Sequence, residues 1–329
     1  MKKIRAVGIK GIGHYVPDKI LTNFDLEKMV DTSDEWITLR TGIKERRISE
    51  NNDATSDMAY KAAVIALEDA GVAAEKIDYI ILATASPDMF FPSTACIVQD
   101  KLGARRAGAF DLSAGCSGFI YSLVVASQMI ATGIYENILV IGAETLSKFT
   151  DWTDRNTCVV FGDGAGAVLL GTVEDGKGLI ASAMGSDGSG GDMLKLPAGG
   201  SRMPASSDTV KDSLHYIKMD GREVFKNAVR YMSEAVETVL AKCNMTTDDI
   251  TFLIPHQANL RIIQSLGKRL KLRDDQVYVN IEHYGNTSSA SIAIALSELI
   301  QNKRIKDNDV IALTAFGAGY TWASAVIRW

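Results

Sequence analysis

The sequence has few cysteines and no long apolar run. Four cysteines occur among its 329 residues, without a Cys-x-x-Cys pair or a paired spacing with histidines: Cys96, Cys116, Cys158 and Cys243. This pattern argues against a zinc site or a disulfide framework, and it favours a reduced, cytoplasmic setting. No stretch approaches the roughly 18 apolar residues of a membrane-spanning helix, so we expect no membrane association.

The sequence also has no excess of positive charge. The chain carries 35 Lys and Arg against 40 Asp and Glu, a formal net charge of −5, which argues against nucleic acid as its partner. Apolar residues make up 47% of the chain, as in a globular protein, and the length suits one large or two ordinary domains. Glycines, a lysine and a histidine interrupt the first apolar stretch, which predicts a strand over residues 4–15 rather than a signal peptide.

A strand–turn–helix pattern surrounds Cys116. Residues 107–112 predict a short buried strand, residues 119–130 predict an apolar helix, and small residues separate the two. The start of a helix has unpaired N–H groups and a dipole that favours negative charge, so we expect the pKa of the Cys116 thiol to be lowered. Taken alone, Cys116 is more simply a small buried apolar residue, and a nucleophile needs support from elsewhere in the chain.

Apolar periodicity predicts the other main elements. Helices are expected over residues 55–71, 93–102 and 220–243, and strands over residues 77–84, 137–143, 250–254, 277–281 and 310–315. Asn23 is predicted to cap a helix over residues 24–29, and Ser33 or Asp34 to cap one that ends near Gly42. The glycine-rich run 162–166 precedes a strand-like run instead of a helix, which predicts a tight hairpin and not a dinucleotide-binding loop.

The two halves of the chain repeat one order of parts. Residue 77 matches 250, residue 116 matches 286 and residue 137 matches 309, at offsets of 173, 170 and 172. These offsets predict two related α/β halves, residues 1–175 and 176–329, packed about a pseudo-twofold axis; generic α/β similarity is the alternative. Cys116, His256 and Asn286 each follow an apolar strand, where α/β proteins carry their chemistry, so such packing would bring them together.

A cysteine from one half with a histidine and an asparagine from the other resembles the catalytic set of thiolase-like condensing enzymes. Within them the chain resembles the β-ketoacyl-[acyl-carrier-protein] synthase III family, over residues 31–42, 113–118, 161–167, 255–262, 283–290 and 315–322. The resemblance covers nearly the whole chain and implies a duplicated, five-layered αβαβα fold. Elongating synthases carry Cys-His-His and thiolases Cys-His-Cys. Chalcone synthases share Cys-His-Asn, but their chains are longer and lack the Asp-Glu-Trp-Ile segment.

The resemblance implies a decarboxylative Claisen condensation that starts fatty acid synthesis. An acyl-CoA primer, acetyl-CoA first among them, would acylate Cys116 and then react with malonyl-[acyl-carrier protein]. The backbone N–H groups of Cys116 and Ala318 would stabilise the oxyanion, and His256 and Asn286 would donate hydrogen bonds to the enolate oxygen. An asparagine cannot act as a general base, which argues for decarboxylation. No metal and no cofactor beyond the coenzyme A of the substrate is implied.

The resemblance also assigns the docking surfaces. The coenzyme A site would be formed by Trp36, Arg40, Arg155 and Asn259, with the adenine held between an indole and a guanidinium. The acidic carrier protein would dock on a basic patch formed by Arg261, Lys226, Lys268 and Arg269, for which a solvated helix face is the alternative. Two residues would border the acyl pocket, Leu146 and Phe91, the latter across a homodimer interface.

Two other functions stay open at this point. One is a related synthase that primes secondary metabolism or condenses long chains, which a panel of acyl-CoA and carrier-protein substrates would distinguish. The other is a non-catalytic protein of the same fold that binds coenzyme A or a carrier protein. That protein would bind without turnover, and its Cys116 would react with iodoacetamide no faster than a free thiol.

Overall fold

The computed structural model describes residues 4–329, whose strands are numbered in chain order. They are β1 (Val7–Tyr15), β2 (Ile20–Thr22), β3 (Glu45–Arg47), β4 (Tyr79–Ala83), β5 (Gly108–Leu112), β6 (Ile138–Thr145), β7 (Asp163–Thr172), β8 (Gly178–Ser186), β9 (Leu194–Lys195), β10 (Lys218–Met219), β11 (Phe252–Pro255), β12 (Val310–Gly317) and β13 (Thr321–Arg328).

The helices are α1 (Asn23–Leu26), α2 (Asp34–Thr41), α3 (Thr55–Ala70), α4 (Thr94–Leu102), α5 (Gly118–Ala131), α6 (Ser207–Lys211), α7 (Gly221–Lys242), α8 (Leu260–Arg269), α9 (Ile281–Tyr284) and α10 (Ser291–Gln301).

Capping residues define the ends of several of these helices. The Ser33 and Ser93 hydroxyls accept backbone N–H bonds at the starts of α2 and α4. Glycines in the left-handed conformation end α2, α3 and α4. The predicted cap of α2 is therefore confirmed.

The two main sheets have matching topologies. The first has the strand order β1-β7-β6-β4-β5, with β4, β5 and β6 parallel and β7 and β1 antiparallel to their neighbours. The second has the order β8-β13-β12-β11, with β11 and β12 parallel and the other pairs antiparallel. Thus β4, β6, β7 and β1 correspond to β11, β12, β13 and β8, as the duplication predicts. The predicted boundary at residue 175 lies in the connection between β7 and β8.

One predicted strand of the second half is wrong. Residues 277–281 fall at the position that β5 occupies in the first sheet, but only a single parallel bridge forms there, between Val277 and Leu253. The chain then turns into α9, whose residue Ile281 is completely buried. The apolar stretch therefore forms a turn and a short helix instead of a strand, with Ile281 buried and Val279 exposed.

The core shows why these strands are nearly continuous apolar runs. Ile80 and Leu82 of β4 face α3 and α4, whereas Ile81 faces a central layer formed by α5 and α10. In the second sheet, Ile254 of β11 faces that central layer, and Leu253 faces α7 and α8. Each sheet is covered on both sides, so the central strands β6, β11 and β12 are buried at every position. The result is the predicted five-layered αβαβα arrangement.

The glycine run at 162–166 is not a hairpin. Asp163–Thr172 is one continuous strand, β7, paired with β6 on one side and β1 on the other. The close backbone contact does occur: a Cβ added to Gly166 would lie 2.4 Å from the Ala293 Cβ. Glycine is therefore needed here so that α10 can pack closely on the sheet. In the sequence alone, such a glycine-rich run is indistinguishable from a turn.

The predicted cap at Asn23 is also wrong. Thr22 is the N-cap of α1, and its hydroxyl exchanges hydrogen bonds with Asp25. Asn23 is completely buried, and its Oδ1 instead accepts hydrogen bonds from both terminal nitrogens of Arg46, each at 2.9 Å. The amide thus satisfies a buried guanidinium, a long-range partner that local sequence does not reveal.

Candidate active site

Cys116 lies in a single 3-10 turn, Gly115–Ser117, between the end of β5 and the start of α5. Gly115 has φ +52°, and a Cβ added there would lie 2.8 Å from the Ala318 backbone nitrogen. A Cβ on Gly118 would lie 2.9 Å from the Ala83 Cβ, so this glycine lets α5 begin directly on β4. The small residues around Cys116 are therefore required by close backbone packing.

The turn after β12 meets the Cys116 turn. A Cβ added to Gly317 would lie 2.5 Å from the Cys116 backbone nitrogen. The Thr321 hydroxyl donates to the Ala114 carbonyl at 2.7 Å, and the Ser117 hydroxyl donates to the Thr321 carbonyl at 3.2 Å. These bonds fasten the two halves together and bring the backbone of Ala318 beside that of Cys116.

His256 follows β11 and is almost completely buried. Its backbone N–H donates to the Thr314 carbonyl, and its Nδ1 lies 2.7 Å from the Ser291 hydroxyl. Burial lowers the pKa of the imidazole to about 3, so His256 is neutral near pH 7. Because Ser291 engages Nδ1, the ring orientation is fixed and Nε2 is the nitrogen left for a substrate.

Asn286 is held by the first half of the chain. Its backbone N–H donates to the Val160 carbonyl at 2.9 Å, and its carbonyl accepts from Gly162 at 3.0 Å. The side-chain Oδ1 accepts the Ser288 backbone N–H at 2.8 Å. Because Oδ1 is engaged, the amide presents its Nδ2 hydrogens as donors, which is the chemistry expected of it.

The expected lowering of the Cys116 pKa is wrong for this structure. Burial raises the pKa of the thiol to about 12, and the Glu144 carboxylate opposes ionisation as well. The Ser288 hydroxyl acts on this pKa in the opposite direction. The α-helix itself begins only at Gly118, after the 3-10 turn that contains Cys116. Desolvation of the sulfur therefore outweighs the favourable helix end.

Glu144 is a residue of this site that the sequence analysis missed. It is the second-last residue of the apolar strand β6, it is completely buried, and burial raises the pKa of its carboxyl group. Its oxygens accept hydrogen bonds from Thr84, Ala85, Ser86, Ser288 and Ser289, at distances from 2.6 to 3.2 Å. An acidic residue near the end of an otherwise apolar strand was the available signal.

Three of the four predicted coenzyme A residues line one cavity of about 910 Å³. Trp36, Arg40 and Asn259 line it, and its inner wall reaches Val160, the residue hydrogen-bonded to Asn286. Arg155 does not line the cavity, since its guanidinium lies directly on the Trp36 ring, 4.5 Å from the centroid. Arg222 at the start of α7 lines the cavity as well and was not predicted.

Helices α7 and α8 carry the predicted basic patch. Lys226, Arg261 and Lys268 are exposed on it, and the Arg261 guanidinium lies over the Phe225 ring. Arg269 is exposed as well, but it lies 3.8 Å from the Glu234 carboxylate, which offsets part of its charge. The patch borders the cavity, because Arg261 and Phe225 also line it.

The two predicted acyl-pocket residues differ in their exposure to solvent. Leu146 is buried and packs with Ile37, Val159 and Phe161 below the cavity. Phe91 is 85% exposed, and its neighbour Phe90 is 76% exposed. Within one chain Phe91 therefore does not border a pocket, and its predicted role depends on a second subunit.

Two features are absent from residues 4–329. No group of three or more His, Cys, Asp or Glu side chains is arranged to hold a metal ion in that range. None of the helices described is long and apolar enough to cross a membrane.

Known proteins resemble this chain over its full length. Residues 110–188 match the family 3-oxoacyl-[acyl-carrier-protein (ACP)] synthase III, and residues 240–329 match the C-terminal family of the same enzyme. The β-ketoacyl-[acyl-carrier-protein] synthase III of Caldanaerobacter subterraneus subsp. tengcongensis is 62% identical over 324 residues, covering 98% of each chain. That of Clostridioides difficile is 55% identical over 322 residues, again covering 98% of each.

Solved structures of the same family have the same fold as this chain. The 3-oxoacyl-[acyl-carrier-protein] synthase III of Aquifex aeolicus superimposes with a TM-score of 0.92 at 48% identity, covering 98% of this chain and 100% of that one. The priming β-ketosynthase of the R1128 polyketide pathway has a TM-score of 0.92 at 33% identity, covering 100% of this chain and 97% of that one. At 62% and 55% identity to relatives that match 98% of its length, this chain belongs to the β-ketoacyl-[acyl-carrier-protein] synthase III family of condensing enzymes.

Proposed function

We propose that the chain performs the condensation that initiates fatty acid synthesis, through an acyl-Cys116 intermediate. As a member of its family it is an acyltransferase that joins an acyl-CoA primer to malonyl-[acyl-carrier protein]. The proposed residue roles rest on one observation. The Cys116 turn lies against two segments of the second half, residues 286–291 and 317–321. Acetyl-CoA is the proposed primer.

In the first half-reaction the Cys116 sulfur attacks the thioester carbonyl of the primer. The carbonyl oxygen becomes an oxyanion, for which the adjacent backbone N–H groups of Cys116 and Ala318 are the proposed donors. Collapse of the intermediate breaks the bond to coenzyme A and leaves the acyl group on Cys116, and the proton that the Cys116 thiol loses is balanced by the one that the leaving coenzyme A thiolate takes up. Because both donors belong to the backbone, alanine at position 318 can serve as well as glycine.

In the second half-reaction malonyl-[acyl-carrier protein] loses CO2, and negative charge develops on its thioester oxygen. Neutral His256 and the Nδ2 hydrogens of Asn286 are the proposed donors to that oxygen. The resulting carbanion attacks the acyl carbonyl, forms the new C–C bond and expels the Cys116 thiolate. Neither donor needs to remove a proton, which suits a decarboxylation.

The cavity beside Trp36 is the proposed coenzyme A site. It runs from Trp36, Arg40 and Asn259 inward to Val160, next to Asn286. Trp36 and Arg155 now touch, whereas an aromatic ring between them needs about 7 Å, two van der Waals contacts of about 3.5 Å each. Adenine binding therefore requires Arg155 to swing away from the indole. The basic patch bordering the cavity is the proposed carrier-protein surface, which would deliver both substrates through one opening.

A homodimer is the proposed assembly. Strand β5 lies at the edge of its sheet, with β4 as its one neighbour, and Phe90 and Phe91 project nearby with most of their surface exposed. Such an edge favours pairing with a second copy, which could bring Phe91 to the acyl pocket of its partner. The cytoplasm is the proposed location, since all four cysteines are free thiols.

Priming of a secondary-metabolite pathway is the second candidate. It is favoured by one observation, the similarity to the R1128 priming ketosynthase at 33% identity. The relatives at 55% and 62% identity are β-ketoacyl-[acyl-carrier-protein] synthases III, which favours the fatty-acid role.

The proposed function is tested with radiolabelled acetyl-CoA, followed by malonyl-[acyl-carrier protein] and a series of primers. The wild type should retain label on Cys116, and Cys116→Ala should not. Absence of a covalent label on the wild type would exclude the mechanism. Preference for a bulky primer over acetyl-CoA would support the secondary-metabolite candidate instead.

A further inference from the structure

The hairpin turn after β12 carries Ala318, the second proposed oxyanion donor. Strands β12 and β13 pair up to Gly317 and Thr321, so residues 318–320 form the turn. Ala318 is half-buried and Gly319 is exposed, so solvent reaches one side of the turn. A donor must lie about 3 Å from the oxyanion, and a misplacement of about 1 Å can cost about a hundredfold in rate. The side chains that hold this turn in place therefore affect the reaction.

Aromatic side chains anchor both strands at the base of the turn. Phe316 and Trp322 are cross-strand partners, one on each strand. The Tyr231 ring of α7 stacks on both, with its centroid 4.1 Å from that of Trp322 at 11° and 5.9 Å from that of Phe316 at 8°. The Tyr320 ring packs on Phe316 at 4.7 Å. A single side chain of α7 thus contacts both ends of the turn.

Asp187, directly after β8, joins the same tyrosine to the turn backbone. Its N–H donates to the Tyr320 carbonyl at 2.9 Å, and its carbonyl accepts the Tyr320 N–H at 2.7 Å. Its carboxylate accepts the Tyr231 hydroxyl at 3.2 Å, in addition to the N–H and hydroxyl of Ser189. The turn is therefore held by ring stacking from α7 and by backbone pairing from Asp187.

The rings that flank the turn are packed against backbone on their other sides. A Cβ added to Gly190 would lie 2.1 Å from the Tyr320 ring, and one added to Gly185 would lie 2.5 Å from the Trp322 ring. Rings in such close contact have little room to shift. Loss of the Tyr231 ring would leave a space beside Phe316 and Trp322 into which the base of the turn could relax.

We propose that Tyr231 is a positioning residue for the oxyanion site. By stacking on Phe316 and Trp322 it fixes the turn so that the Ala318 N–H stays beside the Cys116 backbone. Tyr231 is not among the residues that line the cavity beside Trp36, so it acts on the chemical step and not on the binding of acetyl-CoA. The reaction that it serves, acylation of the cysteine, rests on the proposed function.

The test compares two reactions of Cys116, both quantified on its peptide by mass spectrometry. Acetylation passes through an oxyanion and needs the Ala318 N–H, whereas alkylation by iodoacetamide occurs at a saturated carbon and forms no oxyanion. In Tyr231→Leu the acetylation rate constant at saturating acetyl-CoA should fall at least about tenfold. The KM for acetyl-CoA and the alkylation rate should stay within about twofold. A purely structural role would not separate the two reactions.

Two further variants serve as controls. Tyr231→Phe keeps the stacked ring and loses only the hydroxyl, so its acetylation should stay within about threefold of the wild type. Tyr135→Leu removes another half-buried ring, which contacts Tyr79 at 5.5 Å at the end of β4 remote from Cys116, and it should leave both reactions unchanged. If Tyr231→Leu fails to fold, Tyr231→Met, which fills much of the same space without a rigid ring, replaces it in the comparison.

Each outcome decides the proposal. Acetylation at the wild-type rate in Tyr231→Leu would overturn it, as would an equal loss of acetylation and alkylation, or a loss in Tyr231→Phe as large as in Tyr231→Leu. The same variants are acylated with p-nitrophenyl acetate, which also passes through an oxyanion but contains no coenzyme A. A wild type that reacts with this ester and not with acetyl-CoA would refute the proposed function, and the ester rates would still decide the role of Tyr231.

Discussion

The Arg155 guanidinium covers the Trp36 indole, with Cζ 4.5 Å from the ring centroid. Its Nη1 also donates to the Asp31 carbonyl at 2.7 Å, which holds the guanidinium over the ring. Arg40 lies over the same ring at 5.6 Å. Two cations thus lie against one indole ring at the cavity, where a planar, anionic nucleotide would find stacking and charge together.

Trp36→Ala should raise the KM for acetyl-CoA about tenfold, because stacking and cation–π contacts contribute about 1–2 kcal/mol. The KM for malonyl-[acyl-carrier protein] should stay within about twofold, since that substrate carries no adenine. Steady-state kinetics with both substrates measure this. Acetyl-pantetheine, which lacks the nucleotide, is the control: an equal loss with it would show that Trp36 does not act on the adenine.

Asn286→Asp should separate the two half-reactions. The carboxylate keeps an acceptor for the Ser288 N–H but removes both Nδ2 hydrogens, so the enolate oxygen loses a donor. We expect decarboxylation of malonyl-[acyl-carrier protein] to fall by about 10²–10³-fold. Acetyl label on Cys116 should still form. Equal loss of both steps in a folded variant would contradict the assigned role.

Sequence patterns predicted the elements of the fold whose buried residues recur at a regular spacing along the chain. Strand β4 and helix α7 were predicted within a few residues, since an apolar run and a 3.6-residue period are visible without knowledge of partners. The duplication then supplied the topology. The glycines of β7 led to the wrong prediction of a hairpin. Glycine is required there because Ala293 of the other half packs closely against the strand.

The candidate site was predictable in its residues more than in its electrostatics. Cys116 and His256 follow strands, whereas Asn286 follows the short helix α9 where a strand was predicted. The raised pKa of Cys116 depends on burial, which only the folded chain provides. The Ser288–Glu144 contact joins residues 144 positions apart, and Ser288 resembles any other serine in a polar turn. Contacts between the halves are what local patterns do not encode.

Gly317→Ala should disrupt the site through the backbone. The added Cβ would lie 2.5 Å from the Cys116 nitrogen, so one of the two turns must shift. We expect acetylation of Cys116 to fall by at least about tenfold and stability to fall by about 1–3 kcal/mol. Gly200→Ala is the control, because its Cβ would meet nothing within 4 Å. Comparable acetylation of both variants would argue against Ala318 as the second oxyanion donor.

Lys268→Glu should weaken carrier-protein binding. The side chain is exposed on α8, and reversing its charge changes attraction into repulsion for an acidic partner. We expect the KM for malonyl-[acyl-carrier protein] to rise several-fold at low salt, with the difference shrinking at higher ionic strength. The KM for acetyl-CoA should not change. Lys303→Glu, just beyond the far end of α10, is the matched control, and an equal effect there would show a general charge effect.

His256 should make the protein less stable as the pH falls. Its pKa is about 3 when folded and about 6.5 when unfolded, so the unfolded state binds the proton first. The contribution is present above pH 6.5 and is lost progressively toward pH 3, amounting to about 2 kcal/mol between pH 7 and pH 5. Urea midpoints of the wild type and His256→Gln at these pH values measure it. His14, whose pKa burial also lowers, is common to both proteins and cancels. A parallel pH dependence in the two proteins would mean that His256 is not held neutral, and its assignment as a neutral donor to the enolate would fail with it.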